Sequence, residues 1–304
     1  MGWKRIGRML ESAHKARTGS SGLAHLMPWS ERSGRLSALK LIVFLIVCAP
    51  ALYWSAQIWA DIPAQPVNYI VKESGDWSMR LMVAVLAISP LRRLLRINRL
   101  ILVRRMLGLA ALIYGLIHLV FYFVSQDWDW PLIIDGMITA LYLTTGYVAL
   151  ALMLFLGLTS NDVSIRTLGS NGWRRLHWLV YPAAILSLVH FLLEVRADGD
   201  EAAIIAGLLL YLFLFRGLRR VTGEARLSHL LILAPLCGIA TLVLEAAYYK
   251  WGTGVHAESI LWANLDFPHD IRPSWWVLFA GLAIAFGTKA YERFNPTQPR
   301  VSRK

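Results

Sequence analysis

Three of the eight histidines in this 304-residue chain sit inside apolar runs: His118 in LIYGLIHLVFYF, His177 in GWRRLHWLVYP and His190 in ILSLVHFLLE. Ionisable side chains within apolar spans are costly, and where they occur they usually serve a function. One such histidine is most simply a hydrogen-bonded interior residue. Three, confined to two segments, favour a cofactor, because neutral imidazole is a common axial ligand of haem iron. The other five have solvent or interface readings: His14 and His25 in a polar leader, His229 at the start of a span, and His256 and His269 in a loop.

The elements that carry these residues must be membrane helices. Of the chain, 57% is hydrophobic and only 16% charged, against about 25% charged in a soluble domain. Apolar runs of about 20 residues can cross a bilayer, where the backbone must satisfy its own hydrogen bonds. Eight spans are expected near Ala38–Ala60, Trp77–Leu95, Leu102–Val124, Met137–Leu158, Leu176–Leu193, Ala203–Leu218, Ser228–Tyr249 and Trp275–Lys289. The sixth and eighth are short. The fold class is therefore all-α, a polytopic membrane helix bundle of about eight transmembrane helices.

Charge gives the bundle an orientation. Residues 1–36 hold seven Lys and Arg against two Glu, and the link from Leu91 to Arg105 holds six Arg and no acid. The links with Arg166, Arg174 and Arg175, and with Arg216, Arg219, Arg220 and Arg226, and the tail from Lys289, are also net basic. The four connections between them are net acidic. Basic connections stay in the cytoplasm, so both termini are expected there. The net charge of +12 is thus a topology signal and a contact with lipid. Nucleic-acid binding needs an organised basic face on a soluble module, so no nucleic acid partner is expected. Most terminal tryptophans, Trp128 and Trp130 among them, read as an interfacial belt. Cys48 and Cys237 lie in apolar runs without metal-like spacing, and no secretory signal peptide is evident. Glu245, near the outer end of the seventh span, could snorkel to the interface, with a proton role as the less favoured alternative.

Depth then relates the histidines. His118 and His190 lie about 24 and 21 Å along two helices that run the same way, at 1.5 Å per residue. They share one level, towards the outer leaflet, and could clamp one haem from both faces. His177 lies about 20 Å below His190. On a straight helix the thirteen residues between them turn about 220°, so the two would face apart unless Pro182 kinks the helix. Arg104, at the level of His177, is either a topology-setting arginine or the partner of a haem propionate or a flavin phosphate.

The stretches AISPLRRLL (87–95), VRRMLGLAALIYGLIHL (103–119), RTLGSNGWRRLHWLVYPAAILSLVHFLL (166–193) and LFRGLRR (214–220) resemble the haem-binding membrane subunit of the periplasmic methionine-sulfoxide reductase system. This is the MsrQ/YedZ family of the ferric-reductase-like transmembrane superfamily. The resemblance implies a six-helix ferric-reductase-like core with two C-terminal helices added. The domains would be a cytoplasmic basic leader (1–36), a transmembrane haem domain (37–220) and a two-helix segment with a tail (221–304). It implies that His118, His177 and His190 are haem ligands, that the cofactors are heme b and FMN, and that electrons come from the quinone pool or a flavin reductase. The acceptor would be a soluble periplasmic molybdopterin methionine-sulfoxide reductase. The chain itself would then be an electron-transfer subunit, with the bond-breaking chemistry in its partner. No dinucleotide-binding motif follows any span, so nicotinamide is not the expected direct donor. The competing readings are a ferric or oxygen reductase of the same superfamily, a cofactor-free transporter, and a membrane scaffold in which histidines bridge helices.

Overall fold

The computed structural model describes residues 27–30, 35–195, 199–223, 226–266 and 271–294. Most of the basic leader, the tail from 295 on, and His14, His25 and His269 lie outside the described residues. Contacts divide the chain into two compact units, Met1–Ala64 and Gln65–Lys304. The first contains α1 (Ala38–Trp59), an apolar helix with Pro50 inside it. Before it, Trp29 packs edge-on against Phe44, and Lys40 Nζ donates to the Ser30 carbonyl at 2.8 Å.

The second unit is helical throughout its described residues: α2 (Pro66–Leu94), α3 (Ile101–Ser125), α4 (Trp130–Thr139), α5 (Leu141–Leu158), α6 (Asp162–Leu176), α7 (Val180–Glu194), α8 (Asp200–Thr222), α9 (Leu227–Gly252), α10 (Ala257–Leu265) and α11 (Pro273–Phe294). Six helical segments among the described residues are long and apolar enough to cross a membrane. They are α1, α3 with the turn before it, α5, α6 with α7, α8 and α9. The expected second and eighth spans are helices of 29 and 22 residues but fall outside that set. In α2 the apolar pattern is interrupted by Asp76, Arg80, Arg92 and Arg93.

Three elements differ from the apolar-run reading. α2 begins eleven residues before Trp77, because Pro66 at its first turn has a φ suited to helix and no N–H to satisfy. The expected fourth span is two helices, α4 and α5, separated by Ala140 in an extended conformation. The expected fifth span begins with a 3₁₀ turn at His177–Leu179, and α7 starts only at Val180. Pro182 has no N–H to give the carbonyl of residue 178, so the tighter turn takes up the break.

Four helices close a ring: α2 packs on α3, α3 on α5, α5 on α7 and α7 on α2. α8 contacts α2 and α7 from outside this ring, and α9 and α11 pack on α8. The shared core of this outer layer is Leu94, Tyr211, Phe215, Leu230, Leu233, Ala234, Cys237, Val277 and Ala285. Close approach there depends on small residues, as is usual between membrane helices. A Cβ on Gly207 would overlap Thr241 and Val277, and one on Gly281 would overlap Ala234.

Glu245 does not reach the interface. It is fully buried, ion-paired with Arg272, and within 3.3 Å of the Asn264 amide. Arg272 also meets Asp200 at 3.2 Å, and Asp200 accepts from the Tyr249 hydroxyl at 2.9 Å. The carboxylate therefore staples α9 to the starts of α11 and α8. Removing one partner of a buried ion pair strands the other charge, at a cost of about 3–5 kcal/mol. Glu245→Ala is expected to lower the melting temperature in detergent by several degrees, with Glu245→Gln affected less. Equal melting of wild type and Glu245→Ala would show that the staple contributes nothing.

Candidate functional site

Inside the four-helix ring lies a cavity of about 550 Å³, a size typical of cofactor pockets. It sits towards the end where α2 and α5 begin and α3 and α7 finish. The α2 face supplies Asn68, Val71, Lys72, Gly75, Asp76 and Met79. These recur at spacings of three and four, one stripe of a helix.

His118 and His190 face each other across this cavity. Their ring centroids are 6.0 Å apart and their planes are inclined at 79°. The His118 Nδ1–H donates to the Val71 carbonyl and the His190 Nδ1–H to the Tyr142 carbonyl, each at 2.7 Å. A carbonyl can only accept, so both rings are fixed as the Nδ1–H tautomer, and both Nε2 lone pairs remain available. Two imidazoles binding one ion from opposite sides, with bonds of about 2.0 Å and nitrogens about 1.1 Å from ring centres, have centroids about 6.2 Å apart. The observed separation matches that span. Among the described residues, no group of three His, Cys, Asp or Glu side chains is arranged to hold a metal by itself. A pair of imidazoles suits a metal whose other ligands come from a macrocycle.

Two glycines make this arrangement possible. A Cβ at Gly75 would lie 2.9 Å from His118 Nδ1, and one at Gly146 would lie 2.8 Å from His190 Nδ1. Each helix thus presses bare backbone against the back edge of an imidazole. The cavity also holds an orphan: the Tyr147 hydroxyl is buried and has no hydrogen-bond partner among the described residues. The histidine pair, the glycine cradles and this free hydroxyl fit a flat, mostly apolar ligand with a metal centre and polar edges.

His177 does not join the pair. It lies in the 3₁₀ turn, stacked on Trp173 with centroids 3.7 Å apart. Its Nδ1–H donates to the Trp173 carbonyl at 3.1 Å, and its Nε2 lies 3.2 Å from Ser160 Oγ. It faces the α5–α6 junction rather than the cavity. Arg104 is likewise absent from the cavity wall. It lies near enough to His177, Tyr181 and Arg216 to act on them electrostatically. Its neighbour Arg105 donates to the Ser160 carbonyl at 2.5 Å and meets Asp162 at 3.2 Å. The two groups of candidate residues therefore lie apart in the bundle.

Sequence reasoning missed Val71, Tyr142, Gly75 and Gly146. Two of them act through backbone carbonyls, which carry no residue-type signal. The glycines could have been found as small residues in helices at the histidine level, but only with the pairing of helices known. At the same end of the ring, Asp127 and Trp128 adopt left-handed backbone, with φ of 49° and 57°. This double reversal packs Trp128 and Trp130 at a tilt against Phe123 and leaves both tryptophans half exposed.

Residues 74–188 match the family described as ferric reductase like transmembrane component. This match covers α2 to α7 and ends two residues before His190, so the ring of helices is the family's own element. The chain is also 38% identical over 182 residues to the protein-methionine-sulfoxide reductase heme-binding subunit MsrQ of Azospira oryzae, covering 59% of this chain and 78% of that protein. It is 36% identical over 203 residues to the MsrQ of Xanthomonas campestris pv. campestris strain 8004, covering 64% and 93%. With the MsrQ of Rhodospirillum rubrum it shares 35% over 181 residues, covering 59% and 85%. The chain belongs to the MsrQ family of ferric-reductase-like transmembrane proteins, and is a multi-pass membrane protein. No solved structure matches it.

Proposed function

We propose that this chain is the haem-binding electron-transfer subunit of a methionine-sulfoxide reductase system in a bacterial inner membrane, with both termini cytoplasmic. The observation that carries the proposal is the His118–His190 pair, 6.0 Å apart and locked by carbonyls in one tautomer. These two residues would hold a b-type haem, whose iron supplies a one-electron centre when bound. With an imidazole from each side, the iron would pass electrons by outer-sphere transfer, the chemistry of a relay. The largely apolar cavity disfavours a transporter, which needs a polar path.

The residues define two ends. Val71 and Tyr142 hold the imidazoles near the outer face, beside the aromatic knuckle of Trp128 and Trp130. With Asp127, Asp129 and Asp135 close in sequence, this knuckle is where a soluble periplasmic molybdopterin methionine-sulfoxide reductase would dock. At the opposite end, His177, Arg104 and Arg105 would face the electron donor, the quinone pool or a flavin reductase. The family resemblance assigns His177 as a further haem ligand and adds FMN, which would belong to this donor end.

The test is spectroscopic and functional. Purified protein reduced with dithionite should give a low-spin b-type haem spectrum, and a quinol or a flavin reductase should reduce the same haem. The reduced haem should reoxidise on addition of the molybdopterin partner with methionine sulfoxide. A colourless preparation that stays colourless after haem addition would refute the reading. Rapid reoxidation by ferric chelates or dioxygen alone would favour the reductase alternative.

A further inference from the structure

The rim of the histidine cavity is electrically uneven. Among the described residues lining it, Lys72 is the one Lys or Arg, while Asp76 and Glu194 are acids. Asn68, Lys72 and Asp76 follow one another at four-residue spacing on α2, beside Val71 and Gly75, which touch His118. Asp76 is buried, and its Oδ2 accepts from Lys72 Nζ at 2.8 Å; the lysine side chain is 65% exposed and the aspartate's 5%. The carboxylate thus sits inside the wall and pins an ammonium at the mouth. An ammonium has three protons, and Asp76 takes one. Asn68 gives one amide proton to Gln65 Oε1 at 2.8 Å and has another to give. Glu194, at the end of α7, also lines the cavity.

A haem carries two carboxylates on one edge; on the α2 side they meet the two remaining ammonium protons of Lys72, whose charge Asp76 balances, and at Glu194 they meet a like charge. We propose that Lys72, positioned by Asp76 and assisted by Asn68, is the binding site for a carboxylate of the prosthetic group and sets which way round it enters. The inference rests on the haem reading above and adds the orientation of the acidic edge. It has a redox consequence. A positive charge near the iron disfavours the ferric state and a negative charge favours it, so Lys72 raises the midpoint potential and Asp76 lowers it.

The experiment uses the full chain in detergent, loaded either with haem or with its dimethyl ester, which has no free carboxylate. Transfer to excess apomyoglobin measures release. Loss of a charge-assisted hydrogen bond is worth about tenfold, so Lys72→Gln should release haem about tenfold faster than wild type. Lys72→Arg should restore most of the difference, and the ester should leave wild type and Lys72→Gln alike. In potentiometric titrations Lys72→Gln should lower the midpoint and Asp76→Asn raise it. A tenfold change in the one-electron equilibrium is about 59 mV. Equal release of haem from wild type and Lys72→Gln overturns the proposal, as does a difference that persists with the ester. Potentials that move in the same direction in both variants also overturn it, since they report a loosened site rather than two opposed charges. Failure of the underlying haem reading has its own signature, a wild type without a low-spin spectrum, and it removes both.

Discussion

Replacing His118 or His190 by alanine is expected to remove nearly all low-spin haem from the purified protein. Each ring provides one free Nε2 lone pair, and each is held by a single carbonyl bond of 2.7 Å. Losing only such an outer hydrogen bond costs a metal site about 10–100-fold in affinity, and losing the ligand itself costs more. Neither variant should unfold, because the rings line a cavity and the four helices around them keep their contacts. His177→Ala is the internal comparison. It faces Trp173 and Ser160 instead, so it should retain the spectrum of the His118–His190 haem while slowing reduction by quinol or flavin reductase. Haem spectra, haem-to-protein ratio and stopped-flow reduction measure these outcomes. Full haem in both His118→Ala and His190→Ala would dismiss the ligand assignment. Unaltered reduction in His177→Ala would remove that residue from the donor end.

The second large effect comes from residues with no functional group. Gly146→Val is expected to cut haem occupancy sharply while the protein still inserts and folds. A Cβ there would stand 2.8 Å from Nδ1 and 2.9 Å from Cε1 of His190, closer than real Cβ contacts allow. The ring would have to swing and break its bond to Tyr142. Overpacking of this kind costs about 1–3 kcal/mol, or about 10–100-fold in binding. Gly75→Val should do the same through His118, where the approach is 2.9 Å. Helix propensity works in the other direction, since replacing a helical glycine by alanine gains about 1 kcal/mol. Gly217→Ala is the control, because nothing lies within 4 Å of its added carbon. It should leave the haem-to-protein ratio unchanged. Wild-type haem content in Gly146→Val would mean that the ring moves without cost and that the close backbone approach is incidental.

Side-chain type and depth along the chain singled out two residues that the structure brings together, His118 and His190. Imidazoles within apolar runs are rare enough to be noticed, and a rise of 1.5 Å per residue put His118 and His190 at one level before any fold was known. The same arithmetic separated His177 from them, although it could not say which way that ring turns. The 3₁₀ turn at His177–Leu179 changes the rotation between His177 and His190, and a straight-helix angle has no knowledge of it. The polar first third of α2 carries no apolar run to mark it as a span. Yet Pro66 opens a helix there, and its charged stripe becomes one wall of the cavity.

The sequence alone determined the class of this protein. Its hydrophobicity requires membrane helices, its charges alternate in sign from connection to connection, and three of its histidines stand out inside apolar runs. Each of these follows from composition, period or position along one axis, which a linear chain carries directly. Only the tertiary structure decided which imidazoles meet, and which backbone carbonyls fix their tautomers. It also decided that Glu245 closes an ion pair with Arg272 instead of reaching the interface. Those outcomes depend on which helices become neighbours and how each is rotated about its own axis. Both are set by packing between segments far apart in sequence, such as Gly75 against His118 and Gly146 against His190.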